Sequence, residues 1–248
     1  MIAVKSNYFL FIFIFVTSCT TYYKHTITPI SENKFWHQGI ECAYISEEDI
    51  EIVLYFNNVA ENCMYFYLTV TNYDTSSILI EPGKITCFYH NDLETTAINE
   101  NISYVVDPEQ RINRIDNEIV KEEKDHEAKS AICCILMGFS VIADIADAFS
   151  NSEEEEYVDD DEGGSTVCAT IDLYVDENQN HNEKISSLNS EKNFYSAETL
   201  RKTTLFQDES VEGLMILPRN DQKKYLTVNI PIKSSIYQFK FHQVIKEL

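Results

Sequence analysis

The 248 residues carry 19 Lys and Arg against 41 Asp and Glu, a formal charge of −22. A polyanion of this strength repels phosphate backbones and anionic headgroups, so nucleic-acid binding drops out of the expected functions. With 6 Gly and 5 Pro against 15 Tyr and 14 Phe, Gly-rich phosphate loops and collagen-like or linker-dominated architectures are poorly supported, while an aromatic core of some size is within reach.

At the start of the chain, Lys5 precedes an almost unbroken apolar run from Tyr8 to Val16, which closes at Val16-Thr17-Ser18-Cys19. The run has the length of a signal-peptide core and falls short of the roughly 20 residues of a membrane span. Its last four residues resemble the lipobox of bacterial lipoproteins, with Val16 where Leu is commonest. That resemblance implies that residues 1–18 are a lipoprotein signal peptide and that the Cys19 thiol carries a diacylglycerol. It also implies a location in the cell envelope, lipid-anchored to a bacterial membrane and facing the periplasm or the exterior. The outer membrane is favoured where the cell has one, because Thr20 and Thr21 lack the acidic residue that retains some lipoproteins in the inner membrane. The polar stretch 19–38 then reads as a lipid-anchored tether.

From Gly39 to about Val106 the apolar period is two. Ile50, Ile52, Leu54 and Phe56 share one face of a strand, and Met64, Phe66, Leu68 and Val70 share one face of the next, with Asn57 to Asn62 as a polar link. Ile78 to Ile80, the turn Glu81-Pro82-Gly83-Lys84, and Ile85 to Tyr89 continue the series, a spacing that predicts a β-sandwich. At Asp107 the period changes. Asp107-Pro108-Glu109-Gln110 offers an N-cap followed by a proline at the first helical position, and Ile112, Ile115 and Ile119 recur at helical spacing. Residues 107–149 therefore read as a long helix or a helical hairpin. Its second half, Ala131 to Phe149, is apolar until Asp144, an uncharged length of about 13 residues and too short to span a bilayer. Packing on the sheet or on the first helical half is expected for it, with interfacial insertion or a partner helix as the alternatives.

Glu153 to Glu156 and Asp159 to Glu162 form an acidic run that reads as a self-repelling surface loop. Val167 to Val175 looks like a strand, and the polar stretch 183–201 has the composition of a helix. Strands return at Leu214 to Leu217, Leu226 to Ile232 and Ile236 to Phe241. Left alone, these would have exposed edges, so they are expected to complete the sheets begun at 39–106. One β-sandwich domain over 39–248, interrupted by a helical and acidic insertion at 107–202, is the resulting architecture.

Leu200-Arg201-Lys202-Thr203-Thr204-Leu205, Val211-Glu212-Gly213, and the strands at Tyr225 to Ile232 and Tyr237 to Phe241 resemble the closing strands of an immunoglobulin-like domain of bacterial lipoproteins and secreted proteins. Together with Leu68-Thr69-Val70-Thr71-Asn72 they are similar to telokin-like sandwich families of unknown function. The pattern departs where those families often carry Pro-Gly, since Gln207-Asp208 stands there. The resemblance implies a mainly β fold, an immunoglobulin-like antiparallel β-sandwich, and export; it brings no catalytic residue with it.

Motifs for chemistry are weak. Asp176 to Asn182 places oxygen ligands at alternate positions of a calcium loop, but His181 replaces the required glycine and Ser187 the bidentate glutamate, so a polar turn is expected. There is no C-x-x-C and the 6 histidines are scattered, so no zinc site is expected, and no other metal or cofactor. Cys42, Cys63, Cys87, Cys133, Cys134 and Cys168 permit three disulfides in an oxidising compartment without any spacing that selects a pairing. No Gly-x-Ser-x-Gly elbow frames a nucleophile. The expectation is a non-catalytic protein, bound to the membrane through its N-terminal lipid, whose sandwich serves another envelope protein as a binding or structural module. A membrane-interacting module acting through 131–149, or a hydrolase whose site is assembled from distant loops near His90 or His242, are the alternatives.

Overall fold

A computed structural model describes residues 23–60, 62–93, 102–150 and 166–247, with side chains characterised up to 136 and again from 175. Among the described residues the chain is mainly β, with antiparallel sheets and two α-helices. The strands are β1 (Tyr23–Pro29), β2 (Lys34–His37), β3 (Ile40–Ser46), β4 (Ile50–Ala60), β5 (Cys63–Asn72), β6 (Ile78–Ile80), β7 (Thr86–His90) and β8 (Ile102–Tyr104). The helices α1 (Pro108–Ser150) and α2 (Thr166–Ala197) follow, then β9 (Thr203–Leu205), β10 (Glu209–Pro218), β11 (Tyr225–Ile232) and β12 (Ser235–Glu247).

Alternation decides the central hairpin. Ile50, Ile52 and Leu54 of β4 are buried, as are Met64, Phe66, Leu68 and Val70 of β5, and the register sets Ile52 opposite Val70 and Leu54 opposite Leu68. An irregularity between Phe56 and Asn58 lets both strands run on, so only residues 61 and 62 separate them; the polar link expected at Asn57 to Asn62 is mostly strand.

One sheet has the order β1-β12-β11-β7-β8 and the other β10-β5-β4-β3-β2. Their inner faces share one core, to which Ile27, Leu226, Val228, Phe239 and Phe241 contribute from the first sheet and Ala43, Ile52, Leu54, Phe66 and Met215 from the second. Phe66 and Phe241 meet across the sheets edge to face, with centroids 5.1 Å apart. This core draws on strands before and after the helices, which therefore leave it at β8 and return to it at β9. The small sheet β6-β9 ties the two sides of that excursion together, pairing Ile78–Ile80 with Thr203–Leu205.

Three stretches differ from their expected form. Residues 23–37, expected as a polar tether, supply strands to both sheets: β1 pairs along β12 from Tyr23 opposite Glu247 to Pro29 opposite Phe241, with Ile27 buried. β2 is joined to β3 by Gln38 and Gly39, both with positive φ (49° and 82°), the two-residue turn whose twist suits a hairpin. Val167 to Val175, expected as a strand, lies within α2, and so does Asp176 to Asn182, expected as a polar turn. Short β-branched windows fit either period, so such a stretch does not declare its own state.

Candidate functional site

The feature that stands out from the core is the α1–α2 hairpin. Asp107 caps α1, its Oδ1 accepting the Glu109 N–H at 3.0 Å, and Pro108 occupies the first helical position. The roots are sewn to both sheets: the Val105 N–H donates to the Ile85 carbonyl and the Val106 N–H to that of Ile216, while Leu200 and Glu198 bond the Leu214 backbone. Gly213 permits this return, since a Cβ there would lie 2.5 Å from Leu200 Cα. The Arg201 guanidinium then clasps the Glu109 carboxylate at 2.6 and 2.8 Å and holds that carboxyl below its ordinary range.

Near its base the hairpin buries Ile115 and Leu188. Farther out, among the described side chains 116–136 and 175–187, none is buried. The helices are joined there by polar groups: Asp116 with Lys192 at 2.5 Å, Glu122 with Lys184, Lys129 with Glu177 at 2.7 Å, and the imidazoles of His126 and His181 stacked at 3.9 Å. The apolar side chains are outside. Ile132, Ile135 and Leu136 are 56%, 58% and 52% exposed at the i, i+3, i+4 spacing of one helical face. The Lys129–Glu177 pair brings Val175, also exposed, to the level of Ile132.

Magnitudes show what such an arrangement can do. Each exposed ion pair is worth about 0–1 kcal/mol, whereas covering the exposed half of each large apolar side chain gains roughly 1–1.5 kcal/mol, half the value for full burial. The polar contacts set the pairing of the helices, and the larger free energy is left for whatever covers Ile132, Ile135 and Leu136. The expected packing of this stretch on the sheet or on the first helical half is therefore corrected for these three residues. The side chains of Phe139 and Ile142 lie outside the described residues. Among the described residues no helix is long and apolar enough to cross a membrane.

The other sequence candidates are placed as follows. Cys19 and the acidic run 153–162 lie outside the described residues. His90 is buried with both ring nitrogens engaged, one 3.0 Å from the Thr227 hydroxyl and the other 2.6 Å from the Asp92 carbonyl. His242 reaches it only through the intervening ring of Tyr225. A cleft of about 490 Å³ lies elsewhere, lined by Asn62 and Arg219 to Gln222. There the Arg219 fork is spent on Asp221 and on His25 Nε2, at 2.8 Å; burial and the guanidinium push the His25 pKa down. Cys42, Cys63, Cys87, Cys133 and Cys134 are free thiols, and burial pushes that of Cys87 up to about 12. Among the described residues no group of three or more His, Cys, Asp or Glu is arranged to hold a metal ion.

The sequence marked 131–149 as a stretch to watch but missed the polar seam inside the hairpin. The signal was available in outline, as His126 and His181 stand at corresponding depths of two antiparallel helices, but it required α2 to be recognised as a helix from its start. No family model, curated protein or solved structure matches the chain.

Proposed function

We propose that this is a non-catalytic, lipid-anchored protein of the bacterial cell envelope, in which an immunoglobulin-like, telokin-like sandwich serves as the base for a helical hairpin that docks on another envelope protein. The observation that carries the reading is the exposed apolar face of Ile132, Ile135 and Leu136 above a seam of ion pairs. A helix of 43 residues is about 65 Å long, enough to carry that face well away from the core. Docking on protein is favoured over insertion into lipid because the chain is strongly anionic, and the residues joining α1 to α2 include the acidic run 153–162. The lipobox-like Val16 to Cys19 supports the anchor, since Cys19 is the one residue of the chain placed for acylation by that motif.

Two experiments test the reading. A photo-crosslinking benzoylphenylalanine at position 136, activated in intact envelopes, is expected to give a discrete protein adduct; adducts with lipid alone would replace docking by insertion, and no adduct would remove both. Cys19→Ala is expected to abolish lipid labelling, and a mature N-terminus at any other residue would overturn the anchor.

A further inference from the structure

The outer hairpin repeats one triplet on both of its helices. Glu122, His126 and Lys129 of α1 recur on α2 as Glu177, His181 and Lys184, each set at i, i+4 and i+7 and therefore on one helical face. Antiparallel pairing sets Glu122 on Lys184 and Lys129 on Glu177, and brings the two imidazoles together at the centre, 3.9 Å apart and 11° from parallel. Opposite charges meet on either side, and like meets like in the middle. We infer that the His126–His181 stack is a pH-sensitive latch, which holds the outer hairpin closed while at least one ring is neutral and releases it when mild acid charges both.

The flanking pairs are constant across the window in which imidazoles titrate. Lys184 holds the Glu122 carboxyl below its ordinary range, and Glu177 holds the Lys129 ammonium above its own, so these groups keep their charge between about pH 8 and pH 5. The two rings are what changes. Toward them α1 presents Glu122 and Lys129 and α2 presents Glu177 and Lys184; Asp125, Glu127 and Glu183 stand beside them, exposed.

Charging the rings costs in two ways. In an imidazolium both nitrogens are donors, yet the Nδ1 atoms of His126 and His181 are enclosed and have no partner among the described residues. His126 Nε2 has the Ser130 hydroxyl, 3.4 Å away. One charged ring still stacks on a neutral one. Two charged rings at 3.9 Å repel, and the flanking cations and anions cancel each other instead of compensating them. Little holds the helices against that repulsion, since no described side chain of 116–136 or 175–187 is buried. Ile115 and Leu188, buried at the base, set where the opening stops.

The test follows amide exchange of Val120 to Leu136 in the mature chain from about pH 8 to pH 5, corrected for the intrinsic pH dependence of exchange and referred to β5. Exchange of these amides is expected to rise about tenfold relative to β5 as the imidazoles charge, while the amides around Ile115 keep their protection. The ring C–H resonances of His126 and His181 are expected to leave their stacked positions over the same range. His126→Phe and His181→Phe each keep a flat ring in the stack and leave a single ring that can charge, so both are expected to hold the hairpin and lose the pH dependence. Should a Phe variant disrupt the hairpin at the alkaline end, the exchange and ring resonances of the parent still decide. Protection independent of pH, rings that stay stacked when both are charged, or an acid loss that survives in both Phe variants would overturn the latch. The latch does not rest on the docking reading, which crosslinking at position 136 decides separately.

Discussion

The core and the hairpin distribute apolar and polar groups in opposite ways. In the paired sheets, Phe66, Phe239 and Phe241 are essentially fully buried; in the outer hairpin, ion pairs and stacked imidazoles hold the middle while Ile132, Ile135 and Leu136 face out. The core closes on itself. The hairpin stabilises its own pairing weakly and has its larger apolar gain still unrealised, the arrangement of a segment completed by something else.

The largest expected effect lies in the core. Phe66→Ala removes the ring that meets Phe241 across the sheets and is expected to cost about 3–5 kcal/mol in denaturant unfolding. A loss below about 1 kcal/mol would show that the two sheets do not depend on one core. Next comes the junction. Gly213→Ala drives a methyl into the Leu200 backbone and is expected to cost roughly 1–3 kcal/mol. Its cost should shrink if residues 198–200 are released from β10, which a double-mutant cycle with Arg201→Ala measures. Asp107→Ala, which removes the α1 cap, is expected to cost about 1 kcal/mol, read from unfolding followed by helical circular dichroism.

Acid should weaken the β1 edge. The His25 pKa is lowered in the folded chain, so below the ordinary value of 6.5 the unfolded chain binds more protons and stability falls as pH falls. Asp221 is depressed through its bond to Arg219; its contribution is present above the unfolded value of 3.8 and is lost only as pH drops through its lower folded value. His25→Gln keeps an acceptor for Arg219 and cannot titrate, so it should flatten the first loss and leave the second. An unchanged profile would remove His25 from the account. The smallest effect on folding belongs to Leu136→Asp, expected within about 0.5 kcal/mol of the parent because the side chain is half exposed, while the crosslinked adduct disappears.

Much of the core was legible because its strands alternate cleanly: Ile50 to Leu54, Met64 to Val70 and Tyr237 to Phe241 declare which face is buried. β1 did not, because in Lys24-His25-Thr26-Ile27-Thr28 a lone isoleucine carries the inner face and the strand exists through its pairing with β12. The start of α2 was read with the wrong period because its short β-branched window fits either one. Exposure of Ile132 to Leu136 was beyond the pattern altogether, since an apolar run records what needs covering and not what covers it.

Amide hydrogen exchange on the isolated mature chain compares the two regions in one measurement. The amides of β5 are expected to exchange only through global unfolding, and those of α1 from Val120 to Leu136 through local openings of about 1–3 kcal/mol. Protection in that part of α1 equal to that of β5 would show a hairpin complete in itself and contradict the account.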